Sequence, residues 1–394
     1  MKRIAIVIQN VIQWYAVRPL VELLMSKKLP TDILIFDPIN NPNDYHEIAN
    51  ATKSVIKRDG FKITNWPTEK EYTIGLAPYS DMINFKCKYR LGYCYGAVTT
   101  KPALTLQPEH KMNFHGMFVH DTYTAELFSV YGRTNIVPYL YLKPVKHQKN
   151  NQKPVILYLP TYNEPSVPAT ANALLELKNN YYIITKGHHG TDHLNEEGNK
   201  KNILKEIADE NYDSNQYIMP LFEKADIVIS DNSGATMDAL YANIPVIMSV
   251  QSISPSINNI KPIQQTLIEQ KIIPHVSDIN ATNLKAAIEF ALTKKMQRVQ
   301  RDASDKLFPV KNGGALDWYK IIENYLNDVT DQNYCKLHDY YIEKWQNLKE
   351  QNLQVEAIKK QLYETRIQLE HYEKSRAHRI VDKILSNRHK KQSS

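Results

Sequence analysis

The segment Ala225–Val246, ADIVISDNSGATMDALYANIPV, constrains the fold of this chain more than any other. Its β-branched run Ile227-Val228-Ile229 reads as a short buried strand. The run breaks off in Ser230-Asp231-Asn232-Ser233-Gly234, a cluster of turn and helix-cap residues, and a helix carrying Asp238 follows. A helix starting there aims unpaired backbone N–H groups and its positive dipole end into the space above the strand, which suits a phosphate. Ser233 adds a hydroxyl donor, and Gly234 lets a ligand approach the backbone closely. By itself the pattern is equally an ordinary strand–turn–helix connection of an α/β domain.

Two more strand ends of the same kind precede it. Lys153–Glu164, KPVILYLPTYNE, is a β-rich run that opens into a loop at Pro160-Thr161. Tyr181–Gly190, YYIITKGHHG, is a second strand, ending in Lys186, His188 and His189. In an open parallel sheet ligands collect at the carboxyl ends of the strands. A hydroxyl, a cation–imidazole cluster and an anion-binding helix start at three such ends are therefore expected to converge.

The other half of the chain contributes Met112–Phe128, MNFHGMFVHDTYTAELF. Here His115-Gly116 follows a short apolar stretch and is expected at a strand end, introducing a loop and helix. A histidine titrating near neutrality, beside a glycine that leaves room for substrate, suits a general base. The alternative is a hydrogen-bonded structural histidine, the commoner case in a chain with thirteen histidines.

His115-Gly116, Pro160-Thr161, the KGHH run at 186–189 and SDNSGATMDA at 230–239 together resemble the CDP-glycerol glycerophosphotransferase family, of the teichoic acid or capsule polymerase type. Asn243-Ile244-Pro245-Val246 fits the strand that closes that family's pattern. Phe308–Trp318, FPVKNGGALDW, resembles its glycine-containing segment, where the chain crosses back between domains. The resemblance covers roughly residues 100–325. It departs from the family at His189, where proline is usual, at Gly234 in place of a second serine, and at Asn163-Glu164 in place of a basic residue.

The resemblance implies an α/β fold of two Rossmann-like domains facing a central cleft, the GT-B architecture. It implies transfer of a polyol-phosphate group from a CDP-activated donor to a hydroxyl of a surface polymer or lipid-linked primer, releasing CMP. His115 would then take the acceptor proton, with Gly116 beside it. Lys186 and His188 would neutralise the pyrophosphate, and Thr161 would add a hydrogen bond to phosphate. Asp231, Asn232, Ser233 and Gly234 would form the donor site, and Asp238 would orient the loop or bind a donor hydroxyl. The rival readings are a glycosyltransferase or UDP-GlcNAc 2-epimerase-like enzyme using a UDP-sugar on the same scaffold, and a non-catalytic scaffold of a capsule or wall-synthesis complex.

Length and composition set the frame. At 394 residues with 42% hydrophobic residues, the chain suits two domains and an extension, expected at 1–145, 146–328 and 329–394. Strands are expected at Ile4–Ile8, Thr31–Phe36, Tyr72–Leu76 and Ala97–Thr100 in the first half, with helices at Val17–Met25 and Ile48–Arg58. In the second half they are expected at Val155–Leu159, Tyr181–Thr185, Ile227–Ser230 and Val246–Ser249. The aromatic, basic stretch Asp81–Tyr95 reads as a packing cluster or a loop-rich acceptor surface, and Lys143–Lys153 as the interdomain linker.

No metal and no cofactor is called for: there is no acidic pair of divalent-cation type, no G-x-G-x-x-G and no P-loop. The cysteines Cys87, Cys94 and Cys335 have no disulfide or metal-ligand spacing, and the polar residues Gln9, Asn10 and Gln13 interrupt the apolar start of the chain. These features suggest a cytoplasmic protein.

The net charge of +7 is concentrated at the end, where seven basic residues lie between Lys374 and Lys391 against the single acid Asp382. No basic groove with interleaved aromatics suggests nucleic acid. Before that end, Tyr341, Leu348, Val355, Leu362 and Leu369 recur every seven residues, which predicts a long helix able to dimerise as a coiled coil or to pack as a single amphipathic helix. Its basic end, with Ile380, Val381, Ile384 and Leu385, suits an anionic membrane surface, on the inner face of a bacterial membrane.

Overall fold

The computed structural model describes residues 2–37, 43–66, 68–96, 113–129, 132–145, 153–188, 191, 198–256 and 260–330, and from 332 most residues to 365. The expected strand at Ala97–Thr100, His189, the middle of the expected linker and the basic C-terminal end lie outside these residues. The chain divides into two compact units, Met1–Gln332 and Asn333–Ser394.

The larger unit holds two six-stranded, all-parallel sheets. The first consists of β1 (Ile4–Ile8), β2 (Thr31–Ile35), β3 (Tyr72–Ala77), β4 (Cys87–Tyr93), β5 (Gly116–Val119) and β6 (Arg133–Ile136), in the order β2-β1-β3-β4-β5-β6. Helices α1 (Val11–Ser26), α2 (Asn43–Arg58) and α3 (Thr122–Phe128) connect them. Every residue of β1 is buried, as expected of a parallel strand covered on both faces. Asn10 starts α1 by accepting from the Gln13 N–H at 3.1 Å, an N-cap that the apolar pattern from Val17 alone does not reveal.

The second sheet has the order β12-β11-β10-β7-β8-β9. Its strands are β7 (Val155–Leu159), β8 (Tyr182–Lys186), β9 (Glu210–Tyr212), β10 (Ile227–Ser230), β11 (Val246–Ser249) and β12 (His275–Val276). Its helices are α4 (Val167–Leu177), α5 (Gly198–Ile207), α6 (Met219–Lys224), α7 (Gly234–Tyr241), α8 (Ile263–Glu269), α9 (Ala281–Ala291) and α10 (Lys294–Leu307). The strand period of two divides the core. Val155, Leu157, Leu159, Val228 and Val246 pack on one face with residues of α6, α7 and α8. Ile156, Tyr158, Ile227, Ile229 and Ile247 pack on the other with α4, α5 and α9.

The chain then returns to the first sheet. Phe308 lies in the second domain's core, whereas Trp318 of α11 (Ala315–Leu326) stacks on Phe118 of β5 at 4.7 Å and donates to the Pro138 carbonyl at 3.0 Å. Gly314 and Asp317 start α11, the Gly314 N–H donating to Asp317 Oδ2 at 2.9 Å. That helix packs against α1 and β3.

The stretch around Asp81–Tyr95 contains strand β4 and buries Tyr89 and Tyr93. The Tyr93 hydroxyl donates to the Val7 carbonyl at 3.0 Å and that of Tyr89 to Asp328 at 2.8 Å. The smaller unit is helical where described, and Tyr341, Leu348, Val355 and Leu362 are exposed on it. No helix among the described residues is long and apolar enough to cross a membrane.

Candidate active site

Strands β10, β7 and β8 are neighbours in the second sheet, so their carboxyl ends lie side by side. Asp231, just past β10, ties two of them together: its Oδ2 accepts from the Thr161 N–H, past β7, at 2.8 Å. One residue earlier, the Ser230 hydroxyl donates to the Leu159 carbonyl at 2.7 Å. Both Asp231 and Thr161 are buried. A buried carboxylate accepting a backbone N–H is a strong hydrogen bond, and it fixes the turn rather than reaching outward.

Asn232 is likewise engaged in the fold. Its amide donates to the Ser252 carbonyl at 2.9 Å and to Glu164 Oε2 at 3.3 Å, and its Oδ1 accepts from the Ser254 N–H at 3.0 Å. The side chain expected to hold a phosphate thus pins together the loops after β7, β10 and β11.

Ser233 is the N-cap of α7, its Oγ accepting from the Ala235 N–H at 3.2 Å. As an acceptor there, the hydroxyl keeps its proton for donation outward. A Cβ added at Gly234 would meet no atom within 4 Å, so the first turn of α7 is open on that side. The Ser233 carbonyl is held by the buried Gln264 amide at 3.1 Å.

Lys186 ends β8 with its ammonium buried, donating to the Ser214 carbonyl at 2.7 Å and the Gly187 carbonyl at 3.4 Å. His188 follows, half-buried, its ring 4.9 Å from that of Tyr162 in the loop after β7. The structure therefore brings Thr161, Lys186, His188, Ser233 and Gly234 to one edge of one sheet.

His115 and Gly116 are not part of this group, and the expectation that they end a strand is corrected. Gly116 is the first residue of β5, paired with Leu91, and His115 precedes it. His115 is buried, its Nδ1 accepting from the Arg90 N–H at 3.0 Å while its own N–H donates to the Arg90 carbonyl at 2.8 Å. It lies at the amino edge of the first sheet, about 13 Å of strand from the carboxyl edge. Gly116 is required there because a Cβ would come within 2.6 Å of the Tyr325 hydroxyl. A His-Gly pair looks the same before a strand as after one, and only the pairing register tells them apart.

At the carboxyl end of β5 stand His120 and Asp121. The His120 Nε2 is 2.8 Å from the Cys94 carbonyl and its Nδ1 3.1 Å from that of Val137, and the ring stacks on Tyr139 at 3.8 Å. Burial pushes its pKa down to about 4, so it is neutral at pH 7. Asp121 caps α3, accepting from the Thr124 N–H and hydroxyl at 2.6 and 2.7 Å.

Asp238 faces the domain junction. The Tyr141 hydroxyl lies 3.3 Å from its Oδ2 and 2.9 Å from the carbonyl of Tyr95, just past β4. Asp238 Oδ1 is inaccessible and has no hydrogen-bond partner among the described residues. Burial pushes the carboxyl up to about 7, partly offset by the nearby hydroxyls of Tyr141 and Tyr139. Two more hydroxyls cross the junction: Tyr15 to the Asn215 carbonyl at 3.1 Å and Tyr123 to the Lys261 carbonyl at 2.8 Å. Tyr95, Tyr123 and Asn215 all follow carboxyl ends of strands, so the two sheets present those edges to each other. Nothing local in the sequence marks which of its 25 tyrosines form this junction.

No protein-family model and no curated protein sequence matches the chain. Solved structures do. MnaA of S. aureus, solved with UDP, has a TM-score of 0.55 at 13% identity, covering 84% of this chain and 98% of its own. The wall teichoic acid polymerase TagF, in a variant soaked with CDPG, has 0.52 at 13% identity, over 84% of this chain and 90% of its own. The rhamnosyltransferase SpnG, complexed with spinosyn aglycone, has 0.51 at 9%, over 82% and 100%. With its two parallel sheets, edge-to-edge domain junction and return helix, the chain has the GT-B architecture of two Rossmann-like domains.

Proposed function

We propose that this protein is a transferase that moves a polyol-phosphate group from a CDP-activated donor to a hydroxyl of a surface polymer or lipid-linked primer, releasing CMP. The observation that carries this reading is the convergence of Lys186, His188 and the Ser233-capped start of α7 on neighbouring strand ends. The likeness to TagF soaked with CDPG supports the choice of donor, and that to MnaA solved with UDP supports a nucleotide-activated one.

In this reading the N–H groups at the start of α7 and the Ser233 hydroxyl hold a donor phosphate, with Gly234 admitting it and Asp231 and Asn232 keeping the turn rigid. The acceptor oxygen forms a bond to the transferred phosphorus as the bond to the CMP oxygen breaks. Lys186 stabilises the charge that grows on the departing CMP, the electrostatic role that dominates such transfers. The acceptor proton goes to His188, the imidazole at the crevice edge, rather than to His115. Asp238 orients the α7 start through Tyr141. The basic C-terminal end, read from the sequence, would hold the enzyme on the anionic inner face of the cytoplasmic membrane, where a lipid-linked acceptor is found.

The test is nucleotide release from a panel of CDP-polyols and UDP-sugars, with and without membranes. Release of CMP from a CDP-polyol, lost in Lys186→Met, supports the proposal. Release of UDP alone replaces it with the UDP-sugar reading. Silence with every donor, membranes included, favours a scaffold.

A further inference from the structure

A cavity of 460 Å³ lies at the domain junction, and none of Thr161, Lys186, His188, Ser233 and Gly234 lines it. It is walled by α1 and α2 of the first domain, by Leu140 and Tyr141 of the connecting segment, and by Asp213 and residues 215–217 after β9 of the second. Its size is within the range of small-molecule sites. We propose that this cavity binds a hydroxyl-rich, uncharged ligand, a glycosyl or polyol unit, at a site separate from the donor crevice.

The chemistry of the walls selects that class. Two guanidiniums line the cavity, but both are beside carboxylates. Arg18 is bonded to Glu22 at 2.8 Å and to Asp59 at 2.9 Å, and Arg58 lies 3.6 Å from Asp59. With Asp213 also on the wall, acids outnumber bases, which disfavours a phosphate or a nucleotide. Guanidinium donors held beside carboxylate acceptors match vicinal hydroxyls, each of which both gives and takes a hydrogen bond.

The aromatic part of the wall fits the same ligand. Tyr15 and Tyr217 lie with ring centroids 5.2 Å apart at 48°. Their hydroxyls are already committed, Tyr15 to the Asn215 carbonyl and Tyr217 to the Tyr141 carbonyl at 2.6 Å. What they offer a ligand is therefore ring surface, against which the C–H faces of a sugar or polyol pack, and hydroxyl lone pairs that still accept.

The position gives the site a consequence. Residues 213–217 continue from Ser214, whose carbonyl holds the Lys186 ammonium, and Tyr141 contacts Asp238. A ligand filling the cavity touches both domains at once and braces the two groups nearest the donor site.

The experiment is saturation-transfer NMR on the full chain with methyl glucoside, N-acetylglucosamine and ribitol, with inorganic phosphate and CMP for comparison. Saturable binding of at least one neutral probe is expected, weakened tenfold or more in Gln216→Trp, which fills the cavity from an exposed position, and in Tyr217→Ala. The thermal unfolding of Gln216→Trp should match that of the wild type. The proposal is overturned if no neutral probe binds saturably, if binding is equal in a folded Gln216→Trp, or if phosphate displaces the neutral probe. These outcomes are independent of which donor, if any, the crevice accepts.

Discussion

The Asp231 carboxylate accepts the Thr161 N–H at 2.8 Å across 70 residues of sequence, joining the ends of β10 and β7. Replacing Asp231 by Ala leaves that buried N–H without this acceptor, which costs about 1–3 kcal/mol. Asp231→Asn retains an oxygen and should lose less. Urea unfolding of the two variants checks the order, and equal stabilities would remove the bond from the account of the site.

Lys186 and His115 separate two views of the chemistry. Lys186→Met should lower nucleotide release by roughly 10²–10³-fold, the scale of losing one electrostatic stabiliser of a transition state. His115→Ala should reduce stability but leave the turnover of the remaining folded protein within a few fold. A folded His115→Ala that is silent would return His115 to the reaction and contradict its place at the amino edge of the sheet.

Gly116 tests the same placement by packing. Gly116→Ala drives a Cβ to 2.6 Å from the Tyr325 hydroxyl and should destabilise by about 1–3 kcal/mol. In Gly116→Ala with Tyr325→Phe the nearest remaining ring atom is 3.5 Å away, so part of the loss should be recovered. Calorimetric melting of the single and double variants measures this, and strictly additive losses would argue against the contact.

Asp238 predicts a pH dependence. Its folded pKa of about 7 stands above the ordinary value of about 3.9, so between those pH values the native state holds a proton that the unfolded chain has released. Its stabilising contribution is complete below about pH 4 and is lost as pH rises through 7. His120, held down to about 4 against an ordinary value of about 6.5, works in the opposite sense, adding stability as pH rises between those values. Stability of the wild type relative to Asp238→Asn should therefore fall from pH 5 to pH 8. Parallel stability curves would show that the carboxyl titrates normally.

The strands that could be read directly, β1, β2, β3, β7, β8, β10 and β11, carry apolar, β-branched runs, and β1, β7, β10 and β11 are buried throughout. Strand β4 escaped because Lys88 and Arg90 interrupt it and because its tyrosines reach partners distant in sequence, Val7 and Asp328. Strands β6 and β9, at sheet edges, have only half-buried or exposed residues, and β12 is two residues long. None of the three presents an apolar run.

The three polar strand ends of the second sheet were local facts: a run of apolar residues, then cap and turn residues, determines a strand end without reference to the rest of the chain. Sequence alone therefore determined the α/β class, the pairing of two such halves and the start of α7 at Ser233. Tertiary structure decided the rest. That His115 stands just before β5 follows from the pairing of Gly116 with Leu91 and the bonds of His115 to Arg90, that Asn232 braces loops depends on where Glu164 and Ser252 come to lie, and that Asp238 holds a proton near neutrality depends on burial against Tyr141. Each of these depends on groups far apart in the chain, and their proximity is a property of sheet register and domain packing that no local pattern encodes.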